Sequence, residues 1–192
     1  MLSHQQYRNS IIIGGIIFSI IALFGIVGSF LIQTILHYSA AQFGKITFGM
    51  GLAWFMGAMM NRFTLKVPFR LKANICFWSM FLTSAAMIYA EILHPLVIYN
   101  ITIPMFLLFF FSGMMYPSYF IRSVLFFRES SASANALFNS SAFFISGVIS
   151  GLGTFIHLDT ALPFMGCVWV LMSLCLLFHN LDSPRHTESI FI

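Results

Sequence analysis

The residue types that usually carry chemistry are sparse in this 192-residue chain, and none of them stands at a catalytic spacing. An intramembrane serine protease would want a Gly-x-Ser-Gly nucleophile, but Ser112-Gly113 follows Phe110-Phe111, so the motif is broken. His37, His94, His157 and His179 are scattered through separate apolar runs and connections, and His179 has no convincing serine partner. Cys76, Cys167 and Cys175 have neither metal-ligand spacing nor a disulfide framework and read as small buried side chains. Glu91, Glu129, Asp159, Asp182 and Glu188 all lie near the ends of apolar runs, away from mid-membrane positions where carboxylates carry protons in pumps. No catalytic residue, no metal site and no cofactor is expected.

The chemistry that remains is binding. Ser19, Ala22, Ile26, Ser29 and Gln33 recur at helical spacing in one apolar run, and Thr102, Met105, Phe109, Ser112, Tyr116 and Tyr119 do so in another. Hydroxyl, amide, aromatic and Met side chains in such stripes suit a cavity for a small amphipathic or aromatic solute. They equally suit hydrogen bonds that hold neighbouring helices together. Ser29, Gln33, Ser112 and Tyr116 are the substrate-cavity candidates. Two other runs carry small residues instead. Gly44, Gly51 and Ala58 fall seven apart beside Thr47, Trp54 and Asn61. Asn135, Asn139, Ala142, Ser146 and Ser150 form one face of another run, with Gly147 and Gly151 as a small-xxx-small pair. Small residues let helix backbones approach closely, so close helix packing, rather than ligand binding, is the expected role of these faces.

The elements that must hold these stripes are transmembrane helices. Hydrophobic residues make up 59% of the chain and charged residues 7%, against about a quarter in a soluble domain, so lipid must be the main solvent. The apolar runs are long and continuous, unlike the alternating strands of about 10 residues in a membrane barrel. A span needs about 20 apolar residues. Six runs qualify, at 11–36, 43–60, 73–93, 96–121, 132–156 and 161–179, between tails at 1–10 and 180–192. The break between the third and fourth is set by His94-Pro95. With the amino terminus inside, Arg8, Arg62, Lys66, Arg70, Lys72, Arg122, Arg128 and Arg185 are cytoplasmic and only Lys45 is external. That excess puts both tails in the cytoplasm of a multi-pass inner (plasma) membrane protein. The net charge of +4 belongs to these short connections, so no nucleic-acid partner is expected.

The helices run striped, small-residue, apolar, and then repeat. Two three-helix units joined in this way have inverted topology, as in each half of several transporter folds. Four motifs carry a family resemblance. Gly28-Ser-Phe-Leu-Ile-Gln33 and Ser39-Ala-Ala-Gln-Phe-Gly44 resemble the opening of the second half of major facilitator drug transporters, most of all the Bcr/CflA-type drug:proton antiporters. Gly57-Ala-Met-Met-Asn61-Arg62 is similar to that family's turn into a basic cytoplasmic loop, and Ser131-Ala-Ser-Ala-Asn-Ala-Leu137 resembles the start of its penultimate helix. Phe30 stands where the family often has proline, and Thr64-Leu-Lys66-Val-Pro68-Phe-Arg70 replaces its Gly-Arg-Arg run. The resemblance covers residues 7–179 and only the carboxy-terminal six helices of a twelve-helix fold. It implies that the first and fourth helices line a cavity, that the second and fifth face the other half, and that Gly57, Asn61 and Arg62 form the cytoplasmic loop motif. It also implies half of an efflux permease working by alternating access with a second six-helix half, either a separate chain or another copy. The alternatives are a non-transporting scaffold and a nonfunctional remnant of a transporter gene.

Overall fold

The computed structural model describes residues 5–125, 127, 130–156 and 159–181. Arg128, Glu129, His157, Asp182, Arg185 and Glu188, with residues 1–4 of the first tail and 182–192 of the second, lie outside the described residues. What is described is all-helical: α1 (Gln5–Leu23, continued by π-helical turns at Phe24–Gly28 and Leu31–Ile35), α2 (Ala40–Phe63), α3 (Phe69–Leu93), α4 (Ile98–Leu125), α5 (Ser131–Gly153) and α6 (Leu162–Leu181). Five of these are long and apolar enough to cross a membrane: Gln5–Ile35, Phe69–Leu93, Ile98–Leu125, Ser131–Gly153 and Leu162–Leu181. In lipid every backbone polar group must be satisfied within the chain, and helices do this locally. The chain is a multi-pass membrane protein. At 24 residues α2 is also long enough, but Gly44, Gly49, Gly51 and Gly57 together with Lys45 and Arg62 dilute its apolar character.

Several helices extend past the apolar runs that betray them. α1 begins at Gln5, inside the expected polar tail, and buries Tyr7, Asn9 and Ser10. α2 begins at Ala40 because Ser39 and Gln42 form a capping box, the Ser39 hydroxyl accepting from the Gln42 N–H and the Gln42 side chain from the Ser39 N–H. α3 starts at Phe69, directly after Pro68, so Arg70 and Lys72 are helical rather than loop residues. Proline preceding a helix is well placed, because no helical N–H is lost there. Arg122 similarly falls in the last turn of α4. Between α3 and α4, Leu96 takes a left-handed φ of 59°. Glu91 holds that turn from within, accepting from the Leu96 N–H at 2.8 Å and the Asn100 amide at 3.2 Å.

The helices pack with a fixed polarity. α1 lies along α5 in parallel: Tyr7 donates to the Ala134 carbonyl at 2.8 Å near one end, and Gly153 meets Leu23 near the other. α2 lies along α4, also in parallel, from Trp54 beside Gly113 to Asn61 beside Ser118. α3 runs antiparallel to both α4 and α6. α1 completes the bundle by touching α4 and α6. Among the described residues, this arrangement collects Arg8, Arg62, Lys66, Arg70, Lys72 and Arg122 at one end, called the basic end below, and leaves Lys45 at the other.

The tightest approach is between α2 and α4. A Cβ at Gly57 would stand 1.9 Å from the Phe110 carbonyl oxygen, and one at Gly113 would stand 2.2 Å from the Trp54 carbonyl oxygen. Only hydrogen fits in those two places. The Gly44, Gly51, Gly147 and Gly151 positions differ, because nothing lies within 4 Å of a Cβ there. Gly57→Ala and Gly113→Ala are therefore expected to force the helices apart and to cost roughly 1–3 kcal/mol or more. Gly51→Ala and Gly147→Ala should be neutral or stabilising by up to about 1 kcal/mol through helix propensity. Thermal unfolding of the four variants in detergent checks this contrast, and equal melting temperatures for all four would contradict it.

Candidate functional site

The second half of α4 turns three polar groups towards three different neighbours. Helical geometry places successive residues about 100° apart, so Tyr116, Ser118 and Tyr119 leave one helix in separate directions. Tyr116 points to α5, Ser118 to α2 and Tyr119 to α6. Two polar systems result, one open and one closed.

The open one is centred on Tyr116. Its hydroxyl donates to Asn139 Oδ1 at 3.3 Å, and Asn139 Nδ2 in turn donates to Asn135 Oδ1 at 2.5 Å and to the Asn135 carbonyl at 3.0 Å. Rings flank this row. Trp54 of α2 stands 5.8 Å from the Tyr116 ring, Phe18 of α1 stands 6.0 Å from it, and Phe138 packs at 6.0 Å. Phe143 closes edge-on against Phe18 at 4.9 Å. Tyr116, Asn139, Phe18 and Trp54 are half-buried, while Asn135 and Phe143 are exposed. Four helices thus present aromatic faces and one directed row of hydrogen bonds to a partly open surface. Such a surface can stack a flat solute and orient it by a polar contact.

The closed system is a knot at the basic end. Lys72 Nζ donates to Asn61 Oδ1 at 2.6 Å, and the Ser118 hydroxyl donates to the same oxygen at 2.8 Å, which ties α3, α2 and α4 together. The Arg122 guanidinium lies 4.9 Å over the Phe69 ring. Beside it, His179 of α6 meets the Tyr119 hydroxyl through Nδ1 and Asn74 Oδ1 through Nε2, both at 2.8 Å. An amide oxygen only accepts, so Nε2 carries the proton on the Asn74 side. Asn61, Lys72, Arg122 and His179 are each at least nine-tenths buried. Each ionisable group sits within a turn or two of a helix end, where long side chains keep charge near the interface.

The residues singled out by spacing divide between these environments. Tyr116 belongs to the open face. Ser112 does not: it is 1% exposed, on the core stripe of Ile101, Met105, Leu108 and Met115, and its hydroxyl makes no hydrogen bond. Ser29 and Gln33 bond to each other at 2.7 Å within the π-helical part of α1. Phe18 is the α1 residue level with Tyr116, so Gln33 lies roughly 22 Å further along the helix axis. The four cavity candidates are therefore not one site. On α5, Ala142, Ser146 and Ser150 share the face that carries Ala134, Phe138 and Gly153 to α1; they are buried inside this bundle rather than offered to another. Gly44, Gly51 and Asn135 are exposed, and Ala58 and Asn139 are half-buried. Gly57, expected in a loop motif, is the α2–α4 contact, and Asn61 is the acceptor at the centre of the knot, while Arg62 is exposed. Lys72, Asn74, Ser118, Arg122 and His179 were not among the candidate residues. Their only signal in the sequence is that all are polar residues within reach of helix ends at one side.

Removing the acceptor of a buried ammonium is expected to be costly, whereas removing both partners is not. Asn61→Leu should destabilise the chain by about 2–4 kcal/mol. Lys72→Met added to Asn61→Leu should recover most of that loss. Unfolding measurements on the single and double variants read the coupling, and strictly additive effects would contradict the bond.

No protein-family model matches this chain, and neither any curated protein nor any solved structure matches it.

Proposed function

We propose that this chain is a six-helix half of a membrane permease for small amphipathic solutes. In this reading α2 is a span as well, and the six helices form two inverted three-helix units. The helix pairing carries the proposal. Exchanging α1, α2 and α3 for α4, α5 and α6 turns the parallel α1–α5 pair into the parallel α4–α2 pair. The same exchange leaves the α1–α4 and α3–α6 contacts as they are and turns α3–α4 into α6–α1. A bundle with that internal exchange symmetry is what inverted repeats of transporters build. The exposed outer face of α2, with Phe48, Leu52, Phe55, Met59 and Phe63, supports its membrane placement.

The open aromatic row supports solute binding, because it lies where α1, α2, α4 and α5 meet, away from the α3–α6 side. Alternating access needs a second bundle around one site; the second bundle is a further six-helix unit, in a separate chain or another copy. The basic end faces the cytoplasm of the plasma membrane by the excess of Lys and Arg there. The motif resemblance to Bcr/CflA-type drug antiporters agrees with efflux as the direction.

Two measurements test the reading. In intact cells, Gln42→Cys should react with a membrane-impermeant maleimide while Leu65→Cys should not, since these exposed positions flank α2 on opposite sides. Reaction of both, or of Leu65→Cys alone, removes the topology. Cells expressing the chain should export the neutral dye Nile red faster than cells without it. Tyr116→Ala should cut the excess by about ten-fold, the loss of roughly 1–1.5 kcal/mol of ring contact, while Gln33→Ala should change it far less. Equal export with and without the chain would overturn the transport reading.

A further inference from the structure

We infer that the Tyr116–Asn139–Asn135 row selects a flat, uncharged aromatic solute that carries a hydrogen-bond acceptor, and that Asn135 is the residue that makes the selection. The inference rests on the solute-binding reading above and goes further, to the chemical class of the solute.

The row has a direction. A phenol has one hydrogen, and that of Tyr116 goes to Asn139 Oδ1 at 3.3 Å. An amide nitrogen has two hydrogens, and those of Asn139 go to Asn135 Oδ1 at 2.5 Å and to the Asn135 carbonyl at 3.0 Å. Each residue thus hands its donor to the next and fixes the next oxygen as acceptor. Asn135 ends the row. Its oxygen is engaged by Asn139, which leaves its NH₂ group as the donor at the end of the row, on an exposed residue. Asn135, Asn139 and Phe143 are spaced by four on α5, so that donor stands on the same stripe as an exposed ring. That ring is two turns away, about 12 Å; a solute stacked beside Trp54 and Tyr116 instead lies within about one turn of the Asn135 N–H, and an acceptor oxygen at its edge answers it.

Charge argues the same way. Beyond the phenol of Tyr116, no ionisable side chain belongs to the row or its rings. Aromatic faces alone would attract a cation, but a cation stacked here meets the positive end of the Asn135 amide and no carboxylate. An anion finds no cationic partner in the row. An uncharged acceptor is the remaining class.

The test is equilibrium dialysis of four probes against the purified chain in lipid nanodiscs, with empty nanodiscs subtracted. Coumarin is a flat, neutral lactone with a carbonyl acceptor and no N–H; indole has an N–H and no acceptor oxygen; naphthalene has neither; tetraphenylphosphonium is an aromatic cation. The wild-type chain should hold coumarin about ten-fold more tightly than the other three. Asn135→Asp keeps the oxygen that accepts from Asn139 and replaces the terminal donor by an acceptor, so its preference should reverse, to indole over coumarin. Asn135→Leu should bind coumarin no better than naphthalene. The inference falls if the wild type binds none of the probes, if it binds naphthalene or tetraphenylphosphonium as well as coumarin, or if Asn135→Asp keeps the wild-type order. The reversal with no chain-dependent Nile red export would support the selection while removing the permease. Chain-dependent export without the reversal would do the opposite.

Discussion

Two glycines that allow two helix backbones to touch underlie much of the rest. Lipid gives helices no hydrophobic reason to associate, since tails are as apolar as leucine; close van der Waals contact and interhelical hydrogen bonds must supply the drive. At Gly57 and Gly113 the surfaces of α2 and α4 meet carbonyl to Cα, with no room for a methyl group. Because α2 is held that close, Trp54 reaches the Tyr116 ring one turn before the contact, and Asn61 reaches Ser118 one turn after it. The aromatic row and the polar knot are both registered by the same contact. Moving α2 outward by one methyl radius would loosen both.

The sequence discloses helices in lipid readily and their faces poorly, and the reason is physical. Long apolar runs separated by charges follow from the solvent itself, so α1 and α3 to α6 can be read from composition and length. Where helices end depends on local groups instead. Ser39 with Gln42, Pro68 before Phe69, and Glu91 beneath Leu96 decide the ends of α2, α3 and α4. Lys72 and Arg122 look like loop charges because charge usually stops a span, yet both are helical and buried, reaching polar or aromatic neighbours near the interface. Tyr116 was legible as part of a stripe. The division of that stripe between core and open face was not, because Ser112 and Tyr116 differ only in which neighbour their side of α4 meets.

That division gives α4 its particular place. Pro117 lies inside the helix, between Tyr116 and Ser118. It has no N–H, so the Gly113 carbonyl loses its helical donor one turn back, at the very residue that touches Trp54. The loss of that hydrogen bond makes this the kind of place at which helices kink. Tyr116 lies just before the interruption, whereas Tyr119 and Arg122 lie beyond it, in the part fixed by the knot to α3 and α6.

The two polar systems consequently have different mechanical character. The knot distributes its bonds over α2, α3, α4 and α6, and none of these four helices can move at the basic end without breaking two of them. The aromatic row ties only α4 to α5 by a hydrogen bond; its contacts with α1 and α2 are ring edges and faces, which slide at little cost. In the proposed binding, a solute entering among Phe18, Trp54 and Phe143 would need side chains to yield rather than helices. Rigid support behind a compliant, half-open aromatic surface is an arrangement in which binding energy can be spent on orienting the solute, because the scaffold does not have to be rebuilt to admit it.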